Sequence, residues 1–365
     1  MPNARETRRI CGFVASRADR LRLDRVSDHR DPRGKRWNLP TLLWASLLGM
    51  MAGQKSFAGV ESLTDDLSVP VRCRLGIKRR IPDTTLRNAL ATIDPAELRP
   101  VLHSVTRSAN RSKSSTVDFD LPFGVVSMDG KYVSVPSIDD HYAQRSERSD
   151  TGVAGRTGTM TASLCSSRAR PCIDICLIPA WTNEMGTFAR ALDALLEAYG
   201  NLDLFRLVTY DAGACSRANA EHIRSRGLHY LLGLKGSQQQ LLFWARFSFK
   251  DRPLDSPDAC TVDGKGLGQV TRTIFLLPCP DGTDEWPHLR TVIRVDCSGF
   301  DKLGRPTQET RYFLSSLPIG RLSAQQWLTV IRRHWGVETT HQVLDVTFQE
   351  DAHPWVTQNP RLTAT

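Results

Sequence analysis

Several features that would restrict the class of this protein are absent from its sequence. The longest apolar run, from Leu42 to Ala52, is too short to cross a lipid bilayer. The arginine-rich start is not followed by the apolar segment of a secretory signal peptide. The chain also has no internal repeat and no low-complexity tract. These absences argue against membrane, secreted and repeat proteins, and we expect a cytoplasmic location.

The cysteines do not form a recognisable framework. There are nine of them, an odd number, and they are scattered along the chain. Cys172 and Cys176 have the spacing of half a zinc site, but they alternate with Ile173 and Ile175 as in a buried strand. No second Cys/His pair has a matching spacing. The sequence therefore predicts free thiols in a reducing compartment and no structural zinc.

The length and the charge of the chain point to a large protein with an anionic partner. With 365 residues it can bury a sizeable core and form more than one domain. Lysine and arginine number 48 against 39 acidic residues, which gives a net charge of +9. Nucleic acid is the commonest partner of such a surface, although many proteins with other functions carry a similar charge.

The first part of the chain is predicted to be all-helical. The segment LLWASLLGMMAG, which follows Leu39, Pro40 and Thr41, is apolar on nearly every side and predicts a buried central helix. A basic turn at 74–80 precedes a helix that restarts at Pro82. Polar, small residues at 107–115 predict a linker.

Three arginines in this helical part are candidates for DNA contact: Arg79, Arg80 and Arg87. A helix that follows a basic turn can enter a DNA groove or lie along phosphates. The alternative is a helical bundle whose arginines are simply solvated, and the pattern favours neither interpretation.

Beyond the helical part, the pattern changes to short apolar strands alternating with helices, which predicts an α/β layer. The first strand is predicted to run from Phe123 to Met128 and to turn at Asp129-Gly130, with Lys131 to Val135 as its antiparallel partner. The predicted boundaries are 1–115 for the helical domain, 116–236 for the first part of the core, 237–310 for a β-rich insertion and 311–365 for the closing part with a short tail.

The closing part contains a helix with an unusual polar stripe. Ser323 and Gln326 predict a capping box at its start. At about 100° per residue, one stripe then collects an apolar residue, two histidines and two acids, namely Ile331, His334, Glu338, His341 and Asp345. Gly336 and the residues after it predict a bend just before Glu338. A half-exposed amphipathic helix with a solvated Glu338 is the alternative interpretation.

Three acids have comparable settings: Asp129 and Asp211 at strand ends, and Glu338 on the closing helix. Carboxylates from two strands and a helix can converge at one edge of a sheet and hold two divalent ions for in-line phosphoryl transfer. Oxygen ligands suit Mg²⁺ or Mn²⁺. Taken alone, Asp129 has an ordinary explanation as a turn residue, Asp211 as a loop residue and Glu338 as a solvated helix residue.

Ordered motifs over most of the chain resemble the DDE transposases of bacterial insertion sequences. The type related to the H-repeat-associated proteins, the ISAs type, is the most similar. The motifs are MDGK at Met128–Lys131, TYDAG at Thr209–Gly213, LLGLKGSQ at Leu231–Gln238 and RRHWGVE…LDVTFQED at Arg332–Asp351. The N-terminal segment DPRGKRWNLPTLLWASLLGMMAGQKSF resembles the associated domain of that family.

This resemblance implies an α/β fold with an RNase H-like catalytic core, a β-rich insertion and an all-helical N-terminal domain. It implies metal-dependent cleavage and strand transfer at element ends, with Asp129, Asp211 and Glu338 as catalytic acids that hold two Mg²⁺ or Mn²⁺ ions. The implied partners are double-stranded DNA, as element ends and target, and a second copy of the chain in a homodimer. Lys235 and Asn183-Glu184 lie in matching segments, where Lys235 is a candidate DNA-binding residue.

Some positions depart from related transposases. A Tyr-x2-Arg-x3-Glu-x6-Lys signature of neighbouring families falls on Ile331, His334, Glu338 and Asp345, so only the glutamate matches. Arg332 or Arg333 could replace the missing phosphate contact.

Relatives also continue beyond the QED segment, whereas this sequence stops at Thr365. We therefore keep two alternatives: a truncated, non-catalytic DNA-binding remnant, and a host nuclease built on the same core.

Overall fold

The computed structural model describes residues 2–111, 120–135, 141–145, 155–279, 286, 288–301, 303–348, 355–356, 359 and 361–362. They form a helical N-terminal region followed by a mixed α/β region with a large sheet. Among these residues no helix combines the length and the apolar character that crossing a membrane requires. All nine cysteines have free thiols, as the sequence predicts.

The N-terminal region contains six α-helices around one apolar core. They are α1 (Ala4–Ser16), α2 (Leu39–Met51), α3 (Phe57–Asp66), α4 (Val69–Leu75), α5 (Asp83–Ala91) and α6 (Arg99–Arg111). Leu42 and Leu48 of the predicted central helix are fully buried, and Asn38 caps its first turn. Helix α4 was not anticipated: it includes the first two residues of the predicted basic turn, Arg74 and Leu75, and it ends at the C-cap Gly76.

The predicted linker at 107–115 is wrong for its first five residues, because α6 continues to Arg111. Tertiary contacts hold this polar segment in a helix: Arg107 donates hydrogen bonds to the carbonyl of Ala198. Arg99 and His103 of the same helix bind the buried carboxylate of Asp174 at 2.6–3.0 Å. Residues 112–115 lie outside the described residues.

The α/β region is built on ten described strands in one sheet. The strands are β1 (Val125–Val135), β2 (Ala143–Arg145), β3 (Gly155–Leu164), β4 (Cys172–Ile178), β5 (Leu207–Tyr210), β6 (His229–Leu234), β7 (Ala259–Asp263), β8 (Val270–Pro278), β9 (Thr291–Phe300) and β10 (Pro306–Ser315). The order is β2-β3-β1-β5-β6-β10-β9-β8-β7, and β4 also pairs with β3. Strands β1, β5 and β6 are parallel, whereas β3 runs antiparallel to β1.

Five helices accompany the sheet. They are α7 (Glu184–Tyr199), α8 (Arg217–Ser225), α9 (Gln239–Ser248), α10 (Ala324–His334) and α11 (Gly336–Val343). Helix α7 packs through Phe188, Leu192 and Leu195 in a cluster with Val126 and Met128 of β1. Helix α10 packs on a second cluster that contains Val125 of β1. The two helices therefore cover opposite faces, because neighbouring residues of a strand point to opposite sides.

The predicted hairpin at Asp129-Gly130 is wrong. Strand β1 runs through both residues without a turn and pairs with β3 along ten consecutive positions, from Val126–Leu164 to Val135–Gly155. An Asp-Gly pair is a turn signal only where the chain reverses, and here two long strands extend the ladder past it. Lys131–Val135 therefore continues the first strand.

The segment 237–310 is β-rich as predicted, but its strands β7, β8 and β9 continue the main sheet through β10. It also contains α9, which the turn and strand signals did not reveal. Described residues after α11 contact the N-terminal region: Trp355 packs edge-on against Phe57, and Asn359 donates hydrogen bonds to carbonyls at the end of α5.

Candidate active site

Asp129 and Asp211 lie side by side because of strand register. Strands β1 and β5 are parallel, and their last aligned pair is Met128 with Tyr210. Asp129, within β1, and Asp211, directly after β5, are the residues that follow this pair, so the two stand at equivalent positions. The chain leaves the sheet at Asp211, whose Oδ1 accepts a 2.6 Å hydrogen bond from the backbone N–H of Gly213. Lys235, after β6, places its Nζ 3.3 Å from Asp211 Oδ2.

Asp129 is held from the side of α11. His341 Nδ1 lies 3.3 Å from Asp129 Oδ2, and its Nε2 lies 3.3 Å from Thr161 Oγ1. Thr161 is the residue of β3 directly opposite Asp129. His341 is buried, and through these two contacts it connects α11 to β1 and β3.

Glu338 comes from the first turn of α11 and has an exposed side chain. Partial burial removes water from its carboxyl group and thereby raises the pKa of Glu338. The charges of Asp129 and Asp211 raise this pKa further. Arg311 acts in the opposite direction. The three acids predicted from the sequence are therefore close enough for their charges to act on one another.

The helix break needed for this placement is present. Helix α10 begins with the predicted Ser323–Gln326 capping box and ends at His334, and α11 starts at Gly336. A π-helical turn, Leu344–Phe348, follows α11.

Three other members of the predicted stripe, Ile331, His334 and Asp345, contact groups of the protein outside the three acids. Ile331 packs in the core, and His334 is buried with its Nδ1 3.0 Å from Thr209 Oγ1. Burial lowers the pKa of His334 to about 4, so this side chain is neutral near pH 7. Asp345 places its Oδ1 2.7 Å from the Nζ of Lys131. At the positions where related families have an arginine and a lysine, this chain thus has the neutral, buried His334 and the acidic Asp345, which pairs with Lys131 of β1.

Sequence reasoning assigned no role to Glu184, which the structure places at this site. Asn183 caps α7 by accepting a hydrogen bond from Gly186, and Glu184 is the first helical residue. Burial raises the pKa of Glu184, and the charges of Asp129 and Asp211 raise it further. An acid after an N-cap is ordinary at a helix start, so no local signal marks it.

A cleft of about 1210 Å³ opens beside the acids. Asp211 and Glu338 line it, whereas Asp129, with 18% of its side chain exposed, is not among the described residues of its wall. Seven basic residues line the cleft: Arg170, Lys235, Arg246, Arg272, Arg311, Arg332 and Arg333. Such a wall can attract a polyanion.

Two of these basic residues, Arg332 and Arg333, were predicted to contact phosphate. Arg332 forms a 3.0 Å ion pair with Asp263 of β7. Arg333 donates a 3.2 Å hydrogen bond to the carbonyl of Ser166. Arg311 is a further cleft residue that the sequence did not suggest: its guanidinium lies 4.5 Å from the ring centre of Trp335 and acts on the charge of Glu338.

The three predicted DNA-binding arginines of the N-terminal region are not among the described residues that line the cleft. Arg79 lies over the ring of Trp37, and Arg80 forms a 2.5 Å ion pair with Glu61. Arg87 lies 3.6 Å from Asp83 in the preceding turn. Each is exposed and also has a structural neighbour in the bundle.

The carboxylates suit Mg²⁺ or Mn²⁺ in donor chemistry, since both ions prefer oxygen ligands. Within the described ranges, no three His, Cys, Asp or Glu side chains are grouped closely enough to hold a metal ion as they stand. Burial raises the pKa values of Glu338 and Glu184, and the charges of Asp129 and Asp211 raise them further, so repulsion between like charges opposes such a grouping. A divalent cation would remove that repulsion.

Two family models match successive parts of this chain. Residues 21–105 match the family model described as DDE_Tnp_1-associated, and residues 121–363 match the transposase DDE domain. Members of the latter family generally use divalent metal ions.

Three curated proteins are similar over part of their length. The "H repeat-associated putative transposase YhhI" and the "Putative protein YbfL", both of Escherichia coli K12, are each 30% identical over 172 residues, which is 44% of this chain and 45% of theirs. The "Putative transposase YncI" of Escherichia coli O157:H7 is 28% identical over 197 residues, 48% of this chain and 50% of its own. The chain thus spans about half the length of the curated relatives it matches. Because the DDE domain covers most of the sequence, the chain belongs to the DDE transposases of insertion sequences.

Proposed function

We propose that this protein cleaves DNA at the ends of its own insertion sequence and joins the freed 3′-hydroxyl to target DNA. One observation carries the proposal. Parallel strand register sets Asp129 beside Asp211, and Glu338 from the opposite end of the chain acts on both charges at the wall of a basic cleft. Converging acids beside a basic wall are what metal-dependent phosphoryl transfer on a polyanion requires.

In this proposal, β1, β3, β4, β5 and β6 form an RNase H-like core. The support is their order, β4-β3-β1-β5-β6, with an antiparallel start and a parallel continuation, together with an acid on β1 and another directly after β5. Strands β10 to β7 then extend the sheet beyond that core.

Asp129, Asp211 and Glu338 would hold the two divalent ions. Bound there, the ions supply an activated water or 3′-hydroxyl and compensate the charge on the leaving oxygen. The chain's own residues orient the DNA. Lys235 borders Asp211 and is 66% exposed, which suits it to a phosphate next to the scissile bond. Arg332 and Arg333 line the same cleft and are proposed to bind phosphates further along the strand.

Arg79, Arg80 and Arg87 are proposed to bind DNA outside the cleft, on the N-terminal region. Their exposure supports this role, and their neighbours Glu61 and Asp83 would release them to a stronger polyanion. We further propose a homodimer as the active form, since two element ends must be joined, and a cytoplasmic location, which suits nine free thiols.

The test is a cleavage assay on a labelled duplex that carries the ends of the element, with Mg²⁺ or Mn²⁺. Wild type should nick the 3′ end, and D129N, D211N and E338Q should each lower the rate at least about 100-fold while end binding persists. E221Q, an exposed acid on α8 that pairs with Arg217, should cleave like wild type.

Other results would redirect the assignment. End binding that weakens with salt, without nicking under conditions where a longer relative nicks, would identify a non-catalytic remnant. Equal cutting of random duplex would identify a general nuclease. Full activity of D129N would reject the proposed chemistry.

A further inference from the structure

Strand β1 extends past its neighbour and leaves a notch in the sheet. Its pairing with β5 ends at Met128–Tyr210, but the strand continues to Val135 along β3. From Asp129 onwards, the side of β1 that faced β5 has no strand partner within the part of the chain that the structure describes, because the chain leaves the sheet at Asp211. Side chains from both faces of the sheet can therefore meet at this position.

Two helices approach the notch from opposite faces. Asp129 and Lys131 point towards α11 and its extension, where they contact His341 and Asp345. Gly130, between them, faces the other way. Gly130 lies on the same face of the sheet as Met128, which packs in the same cluster as the buried residues of α7.

Glu184 fills the space above Gly130. A Cβ atom on residue 130 would overlap the carboxyl group of Glu184, so the glycine is what allows this side chain to lie against the strand. Asn183 fixes the start of α7 and hence the origin of the side chain.

From this position the charge of Glu184 acts on Asp129 and Asp211 across the thin edge of the sheet. Burial is the largest cause of the raised pKa of Glu184, the charges of Asp129 and Asp211 raise this pKa further, and the charges of His341 and Arg156 act in the opposite direction.

The ordinary role of a first-turn glutamate is a solvated partner for the helix dipole. That role does not need a partly buried carboxylate, a glycine beneath it or two aspartates in front of it. We propose that Glu184 is a fourth acidic residue of the cation site, reaching it over Gly130 from the face opposite Glu338. This inference rests on the proposed function, because it adds a residue to the same site.

The experiment measures Mn²⁺ binding by calorimetry on the full chain without DNA, beside thermal unfolding in EDTA. E184Q should weaken Mn²⁺ binding at least about 10-fold and raise the melting temperature in EDTA, because it removes one of the repelling charges. E197Q, an exposed glutamate on the same helix, should change neither quantity.

A second variant tests the geometry without changing charge. In G130A the new methyl group should displace the Glu184 carboxylate and weaken Mn²⁺ binding as E184Q does. G320A, at a position with open space, is its control.

The outcomes distinguish a failure of the role of Glu184 from a failure of the proposed function. If D129N loses Mn²⁺ binding but E184Q and G130A bind it like wild type, the role of Glu184 is refuted and the proposed function stands. If wild type binds no Mn²⁺, or D129N binds it equally well, both fall.

Discussion

Helices α7 and α11 lie on opposite faces of the sheet and contact its strands in different ways. On one face, α7 packs through apolar side chains: Phe188 is fully buried and meets the ring of Tyr210 edge-on at 5.1 Å. On the other face, α10 packs in an apolar cluster, but its last residue His334, His341 of α11 and Asp345 of the π-helical turn contact the strands through polar groups. Apolar packing changes little with pH or bound ions, whereas polar contacts of charged or titratable groups can change, and that of His341 involves Asp129 of the site itself. We infer that Glu184 stands on a fixed scaffold and Glu338 on an adjustable one.

The largest effect on stability should come from the apolar face. F188A removes a fully buried ring and should lower the free energy of unfolding by about 3–5 kcal/mol, measured by urea denaturation. M185A, on the exposed side of α7, is the matched control and should cost less than about 1 kcal/mol. A loss from F188A as small as that of its control would contradict a fixed apolar scaffold.

The polar face should respond to pH through His334. Its pKa is about 4 in the folded protein and about 6.5 in the unfolded chain, so between these values only the unfolded chain takes up the proton. Stability is therefore fully present above about pH 6.5 and falls, by about 3 kcal/mol in total, as the pH drops towards 4.

H334Q should remove this part of the pH dependence. The measurement is the free energy of unfolding of both proteins at pH 7 and pH 4.5. An unchanged slope in the variant would show that His334 does not titrate on unfolding as described.

His341 connects α11 to both Asp129 and Thr161. H341A should cost about 1–2 kcal/mol of stability, because a buried polar contact is lost. Under the proposed function it should also slow cleavage about 10-fold, since Asp129 and the start of α11 lose their link. Q342A, its exposed neighbour, should leave both quantities unchanged. Equal values for the two variants would show that α11 is held elsewhere.

The smallest effect is expected at the pair of Lys131 and Asp345. The acid is 40% exposed, so solvent screens much of the attraction, and D345N should cost about 1 kcal/mol or less. The loss should shrink in high salt, as chemical denaturation with urea at two ionic strengths would show. A salt-independent loss of several kcal/mol would indicate instead that this pair anchors the π-helical turn.

Local signals were sufficient where a structure depends on neighbours in sequence. The Ser323–Gln326 capping box starts α10 as predicted, and the apolar repeat around Phe188 and Leu192 predicts α7. The three acids could be chosen because each stands at the end of a recognisable element and within a motif that resembles a known family.

Local signals failed where distant segments decide the conformation. Asp129-Gly130 has the composition of a turn, yet pairing with β3 keeps it extended. The polar residues from Arg107 to Arg111 are typical of a linker, yet contacts with the α/β region hold them in α6. Glu184 was noted only as part of a matching segment, because the role proposed for it depends on Gly130, which lies 54 positions earlier in the sequence.

The amino-acid order by itself determined the family, the succession of helices and strands, and the identity of three acids. Those properties follow from local chemistry and from motifs that can be read along the chain. Only the tertiary structure decided which side chains share a space, since that depends on strand register and on helices that cover opposite faces. Register set Asp129 beside Asp211, the break at Trp335 turned Glu338 towards them, and the absence of a side chain at Gly130 admitted Glu184.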